Sequence, residues 1–390
     1  MRFPLATGYF GFIALALCGC ASDAKYSAPV RITGDPITDA TQMIEHGPKK
    51  DRVLWQYQAA LAELRQGRFD DAKRTLDDAL ALVGGVKTAD KNSRKARSYF
   101  HAESNKTFVG EPYERVMAYY YRGILYWMDG EPDNARACFR SAQIQDSDTE
   151  DKTYSADYVL LDYLDGLATA KLAGDGSDAD KRARSLDKTH LLPPCDPKAN
   201  VLLFVDFGQG PIKRANGSHN EELHFREGFS RARKARLTLD GQVATLPPFD
   251  DLYFQATTRG GRVMDHILGN KAVFKDVTAV VGVGEMVGGA VLLADRDTRG
   301  IGAGLLALGA LTEVVSAVTV PEADTRMWES LPQYLSFAAI TASPGQHQAT
   351  VDFLDTYDHP ILGLSKTITL NVPSGTRDTV IYISDQSKSF

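Results

Sequence analysis

Cysteine is scarce in this 390-residue chain, and two of its four, Cys18 and Cys20, sit within the first twenty positions. Only Cys138 and Cys195 remain for the body, so no disulfide framework is expected to hold the fold. Excess positive charge is missing as well. A net charge of −6 and a pI near 5.8 argue against nucleic acid as the main partner. No G-x-S-x-G or other paired catalytic motif occurs, and Cys138 lies in a helical run where a small apolar residue belongs. The expectation is a chain that is no enzyme and carries neither cofactor nor metal. What is present is ordinary. Apolar residues make up 43% and charged residues 24%, as in soluble globular proteins, and the length allows two domains with separate cores.

Arg2 supplies a short positive start, and Pro4 to Leu17 is largely apolar and uncharged. That stretch is too short to span a bilayer but suits a signal peptide. Leu17-Cys18-Gly19-Cys20 resembles a lipobox. The resemblance implies removal of residues 1–19 and lipidation of Cys20. With Ala21 next, it also implies an outer-membrane lipoprotein anchored on the periplasmic face. A plain signal peptide cut near Ala21, or an uncleaved anchor, is the alternative. Residues 20–50 hold Pro29, Gly34, Pro36 and Pro48 among polar side chains. They are predicted to form a flexible tether.

Residues 51–190 read as a helical array. Leu54, Tyr57, Leu61 and Leu64, then Phe69, Ala72, Leu76, Ala79 and Leu80, recur at helical spacing on either side of Gly67. A second copy places Tyr119, Gly123, Tyr126, Gly130, Ala135, Phe139 and Ala142 on the tetratricopeptide pattern, with Pro132 suited to a helix's first turn. Gly67 and Gly130 stand 63 residues apart, about 29 more than one 34-residue period. The excess maps to a polar insertion between Gly84 and Pro112. A weaker third copy runs from Tyr154 to about Leu186. In that geometry Tyr57, Leu61, Tyr120, Ile124 and Trp127 line a concave groove. Such a groove suits an envelope protein or an extended peptide. Coverage by the insertion or by the second domain is the alternative, because exposed apolar patches of that size are uncommon on monomers.

Pro193, Pro194 and Pro197 mark a boundary, and residues 197–390 read as β-rich. Strands are predicted at 201–207, 235–239, 252–256, 334–340, 348–354, 366–372 and 379–384. Their spacing suggests a β-sandwich, interrupted at 261–321 by a glycine-rich helical insertion. The fold class is therefore α+β: a tetratricopeptide-like array followed by a sandwich-like domain. Three stretches carry a resemblance to poorly characterised bacterial lipoproteins that join such repeats to a β-rich C-terminal domain. They are Val109-Gly110-Glu111-Pro112-Tyr113-Glu114-Arg115, Phe207-Gly208-Gln209-Gly210-Pro211-Ile212-Lys213, and Glu322-Ala323-Asp324-Thr325-Arg326-Met327-Trp328-Glu329-Ser330-Leu331-Pro332. The resemblance implies location and fold rather than chemistry.

Gly282, Gly284 and Gly288 follow an apolar run as in a dinucleotide-binding turn, but no second strand follows. Two small-residue helices turning at Asp295–Gly300 fit better. Each half approaches the length needed to cross a bilayer, yet Glu285 and Glu313 favour burial against the sandwich. His219, Glu221, Glu222 and His224 invite a zinc reading, but two histidines five apart do not share a helix face or a strand face. Arg226, Arg231, Arg233, Lys234 and Arg236 form the densest basic cluster and read as solvated surface. The sequence thus predicts a non-enzymatic scaffold or assembly factor of the cell envelope. The rivals are a membrane-active component inserting residues 277–320, and a cell-wall enzyme with an unrecognised site.

Overall fold

The structure is a computed structural model that describes residues 32–89, 106–147, 154–218, 220–258 and 322–388. Cys20 and the glycine-rich stretch 261–321 lie outside the described residues. The chain is mixed α+β, with helices in its N-terminal half and sheets in its C-terminal part.

Helices α1 (Pro36–His46), α2 (Arg52–Arg65), α3 (Phe69–Ala89), α4 (Pro112–Met128), α5 (Pro132–Asp146), α6 (Val159–Lys171) and α7 (Ser177–Leu186) succeed one another. Tight turns join α2 to α3 and α4 to α5, with Gly67 (φ +74°) and Gly130 (φ +83°) in the left-handed conformation that ends a helix. Gly123 is required by packing. A Cβ there would stand 2.6 Å from the Phe139 ring, so α4 and α5 could not approach as they do. Residues 36–46, expected within a flexible tether, are helical. Pro36 sits in the first turn, the Asp35 carboxylate accepts from the Thr38 backbone, and Ile37 and Ala40 are buried. Pro36 acts there as a helix starter rather than as a loop signal.

The strands are β1 (Val201–Phe207), β2 (Ile212–Asn216), β3 (Glu222–Arg226), β4 (Lys234–Leu239), β5 (Gln242–Leu246), β6 (Asp250–Asp251), β7 (Tyr334–Ile340), β8 (Gly345–Leu354), β9 (Lys366–Val372) and β10 (Thr379–Ser384). Residues 252–256, expected as a strand, form the short helix α8 (Leu252–Thr257), because the Asp251 side chain caps the Tyr253 backbone and starts a turn. One sheet runs β10-β1-β7-β6 and a second runs β5-β4-β8-β9, while β2 and β3 pair apart from both. Strand β1 is parallel to β10 and antiparallel to β7.

All seven residues of β1 are buried, and their alternation sets the architecture. Leu202 and Phe204 join the core that contains the helices. Val201, Leu203, Val205 and Phe207 join the core shared with β4, β8 and β9. Successive side chains of a strand point to opposite faces, so the first sheet is a middle layer with helices on one side and the second sheet on the other. The length allows two domains with separate cores, and the marginal number of repeats points to an array leaning on the second domain. The helices complete their core on the sheet.

Candidate functional site

The five side chains predicted to line a concave groove, open to a partner or covered by the chain itself, are all interior: none of Tyr57, Leu61, Tyr120, Ile124 and Trp127 is more than 2% exposed. The wall is covered by the chain's own C-terminal part. Tyr57 stacks on Trp328 with centroids 4.6 Å apart, and Phe108, from the end of the insertion, meets its edge. Tyr120 and Trp127 both pack against Phe204 of β1. The Trp127 indole N–H donates to Asp378 at 2.8 Å. The physical cause is the one that makes such a wall attractive to a ligand: a contiguous aromatic surface is buried by whatever apolar face is nearest. Here that face is the middle sheet.

Above this wall the three stretches singled out in the sequence converge. Glu114 belongs to the first, Lys213 to the second, Arg326 and Trp328 to the third. The Lys213 ammonium lies 2.6 Å from Glu114 Oε2, with both side chains almost wholly buried. It also donates to the Arg326 carbonyl at 2.8 Å and faces the rings of Phe108 and Tyr113. Glu114 Oε1 accepts from the Trp328 backbone at 2.7 Å, and Oε2 accepts from the Glu111 backbone at 2.6 Å, closing a capping box at the start of α4. Arg326 pairs with Asp324 and Asp51 and donates to the Lys106 carbonyl. The glycines nearby serve close approach. A Cβ on Gly210 would fall 2.9 Å from the Pro332 carbonyl oxygen.

Two further carboxylates lie across the same interface. Asp206 stands in the otherwise apolar β1, and its Oδ2 accepts from Tyr121 and Tyr382, each at 2.7 Å. Burial, and then the Asp206 charge, push both phenols well above their usual range, so they remain protonated donors. Asp250 accepts from the backbones of Val159 and Leu160 at 2.8 and 2.9 Å. It caps α6 from another part of the chain, where the helix's own flanking residue offers no side-chain cap. Burial above all, with Asp157 and Asp146 nearby, raises its carboxyl to about 7, against the pull of the two N–H donors.

That shift has a definite sign. The unfolded chain ionises Asp250 near 3.8, whereas the folded chain holds the proton up to about pH 7. The folded state therefore binds more protons between these values, and stability falls as pH rises through that window. Relative to Asp250→Asn, which cannot titrate, the wild-type chain should lose at most roughly 1.4 kcal/mol per pH unit from about 4 to 7. Urea melts at several pH values check this. A constant difference between the two chains would place the carboxyl at its ordinary value.

Among the described residues no group of three or more His, Cys, Asp and Glu is arranged to hold a metal. His224 is exposed on β3 and meets Glu222 of the same strand, and His219 lies outside the described residues. The basic cluster is partly neutralised. Lys234 pairs with Asp358 and Arg236 with Asp352. Cys138 and Cys195 are both free thiols. The glycines of 282–288 and the acids Glu285 and Glu313 lie outside the described residues.

None of Glu114, Lys213, Asp206 and Asp250 is among the candidate site residues read from the sequence, although Glu114 and Lys213 lie in two of the three stretches named there. A signal for Asp206 was available: a lone carboxylate inside a seven-residue apolar strand has to find partners. Lys213 and Glu114 carried none, since each sits in a polar-looking loop or a helix start. Glu114, Lys213, Asp206 and Asp250 are each engaged by another part of the chain, so the arrangement holds elements together. No known protein family, curated protein or solved structure matches the chain, and its function has to be read from this geometry.

Proposed function

We propose that this chain is a non-enzymatic scaffold or assembly factor of the cell envelope, lipidated at Cys20 and held at the periplasmic face of the outer membrane. In this reading the helix pairs are a tetratricopeptide-like array and the two four-stranded sheets a β-sandwich, fused through the middle sheet into one body. The observation that carries the reading is the closed groove, together with buried charges that bind one element to another. A wall so filled offers nothing to an extended peptide, so the envelope partner meets the outside of the body. A second reading, insertion of residues 277–320 into a bilayer, is favoured by one contact set. The Ala323 backbone bonds to the Asn220 carbonyl, and α8 lies against β3. Both ends of the intervening segment thus flank the β2–β3 hairpin, so the segment leaves and rejoins the body at one place, from which it could extend as a unit. No helix among the described residues is long and apolar enough to cross a membrane.

The test uses intact cells grown with a palmitate analogue and treated with a crosslinker. The wild-type chain should take up label and yield crosslinked envelope protein, and Cys20→Ser should lose both. Undiminished label in the variant would remove the lipoprotein reading. Label without any crosslinked protein would remove the scaffold.

A further inference from the structure

The most exposed apolar side chains of the C-terminal part gather at one end of the second sheet. Lys234, the first residue of β4, pairs in register with Leu354, the last of β8. The loop before β4 (227–233) and the loop after β8 (355–365) therefore leave the sheet at the same end. They are tied by Lys234 and Asp358 at 2.6 Å and by the Arg233 backbone donating to the Leu354 carbonyl. From the first loop Phe229 protrudes, 70% exposed; from the second, Tyr357 at 79% and Leu362 at 96%.

Neither loop is loosely built. The Phe229 carbonyl accepts from the Gln209 backbone, and a Cβ on the preceding Gly228 would fall 1.9 Å from the Gln209 carbonyl oxygen, so the chain is pressed against the 207–213 stretch. In the second loop the Asp355 carboxylate accepts from the Tyr357 and His359 backbones. Ile361 is buried and bonds to Phe353, and Leu364 bonds back to Ile361. Leu362 is thereby held at the tip of a turn whose next residue is Gly363, at φ +83°. Holding three large apolar side chains in water on braced loops is unfavourable unless something covers them.

Charge says what does. On either side of Phe229 along the chain stand Arg226, Arg231, Arg233, Lys234 and Arg236, the densest basic cluster in the sequence. Of these, Lys234 reaches the second loop and Arg233 the strand end from which that loop leaves. Of the nearby acids, Asp352 and Asp358 pair with Arg236 and Lys234, while Glu227 is held by the Gln333 amide and Asp355 by backbone N–H groups. That leaves Arg226, Arg231 and Arg233 beside two carboxylates that pair with no Lys or Arg among the described residues. Arg226 and Arg231 are exposed and have no side-chain partner among the described residues. Apolar tips inside a basic collar match the interface of an anionic bilayer, where the tips enter the acyl boundary and the cations meet headgroup phosphates.

We propose that this end of the sheet docks on an anionic lipid surface, so that the body lies against the membrane at the 227–233 and 355–365 loops. The inference deepens the reading of a membrane-anchored chain by naming the face that touches lipid. Leu362→Trp places a fluorescent reporter on the most exposed tip, and Val243→Trp places one on β5, away from that end. Each full-length variant is mixed with vesicles of anionic lipid whose acyl chains are brominated, and compared with the unsubstituted chain. The emission added at position 362 should be largely quenched and the emission added at position 243 should not. Adding Arg226→Glu and Arg231→Glu to the Leu362→Trp chain should restore most of its lost emission. Vesicles of zwitterionic lipid should quench far less. Chain that sediments with the vesicles while the reporter at 362 stays bright overturns this docking and leaves the anchor intact. Quenching at 362 that survives Cys20→Ser supports the docking even if the anchor fails. Equal quenching at 362 and 243, or protection of 362 by cell-wall polymer and not by lipid, overturns it.

Discussion

Replacing Lys213 with Met should destabilise the fold by about 3–5 kcal/mol, because it leaves the Glu114 carboxylate charged in an interior from which water is excluded. Glu114 keeps its two backbone donors, from Trp328 and Glu111, but these share one charge that the ammonium had balanced. Glu114→Gln should cost a similar amount for the opposite reason. It leaves the ammonium of a Lys213 side chain that is 2% exposed without a balancing charge, with only neutral acceptors and two aromatic faces around it. The double variant, Glu114→Gln with Lys213→Met, should lose clearly less than the two single losses combined, since the second change removes the charge that the first left unpaired. Urea denaturation of the four chains gives the coupling directly. Singles within about 1 kcal/mol of the wild type, the range of exposed pairs, would mean that water reaches the pair and that the three stretches are not joined by it.

The second large effect is at Trp127. Truncation to Ala should cost about 3–5 kcal/mol and lower Tm by roughly 10 °C. The side chain fills the space between Phe139 and Phe204, and its N–H satisfies Asp378, whose other oxygen serves Lys171 at 2.8 Å. Trp127→Phe keeps most of the packing and removes the donor, so about 1–3 kcal/mol should be lost there. A wall open to a partner would behave otherwise, losing partner capture while its melting point stayed put. Thermal melts beside crosslinking yields separate the two. An Ala variant melting with the wild type would return Trp127 to an accessible groove.

These two sites also show where local pattern stops being informative. Tyr57, Tyr120 and Trp127 recur at helical spacing in the sequence, and all three belong to the core that contains the helices. Period and small-residue spacing specify which side chains face together, because they follow from helix geometry within about thirty residues. What covers the face comes from far along the chain. Phe204, Trp328 and Asp378 carry no mark that assigns them to a helical wall. The ion pair of Glu114 and Lys213 is of the same kind. Its two members lie in separate stretches, and each would be an ordinary surface residue if the other were absent.

Helix pairs, their glycine turns, the main strands and the α+β class were all legible in the sequence, since each depends on hydrophobic period, caps and φ > 0 positions that act over one or two turns. Pro36 and Leu252–Thr257 escape that pattern because a cap formed by Asp35 or Asp251 outweighs weak propensity in a short segment. Tertiary structure alone decided that β1 serves two cores at once, that the predicted groove is interior, and that Asp250 caps a helix that begins far upstream of it in the chain. The reason is that burial is a property of both partners. A sequence names one face at a time, and only the folded chain brings the second face to it and takes the water away.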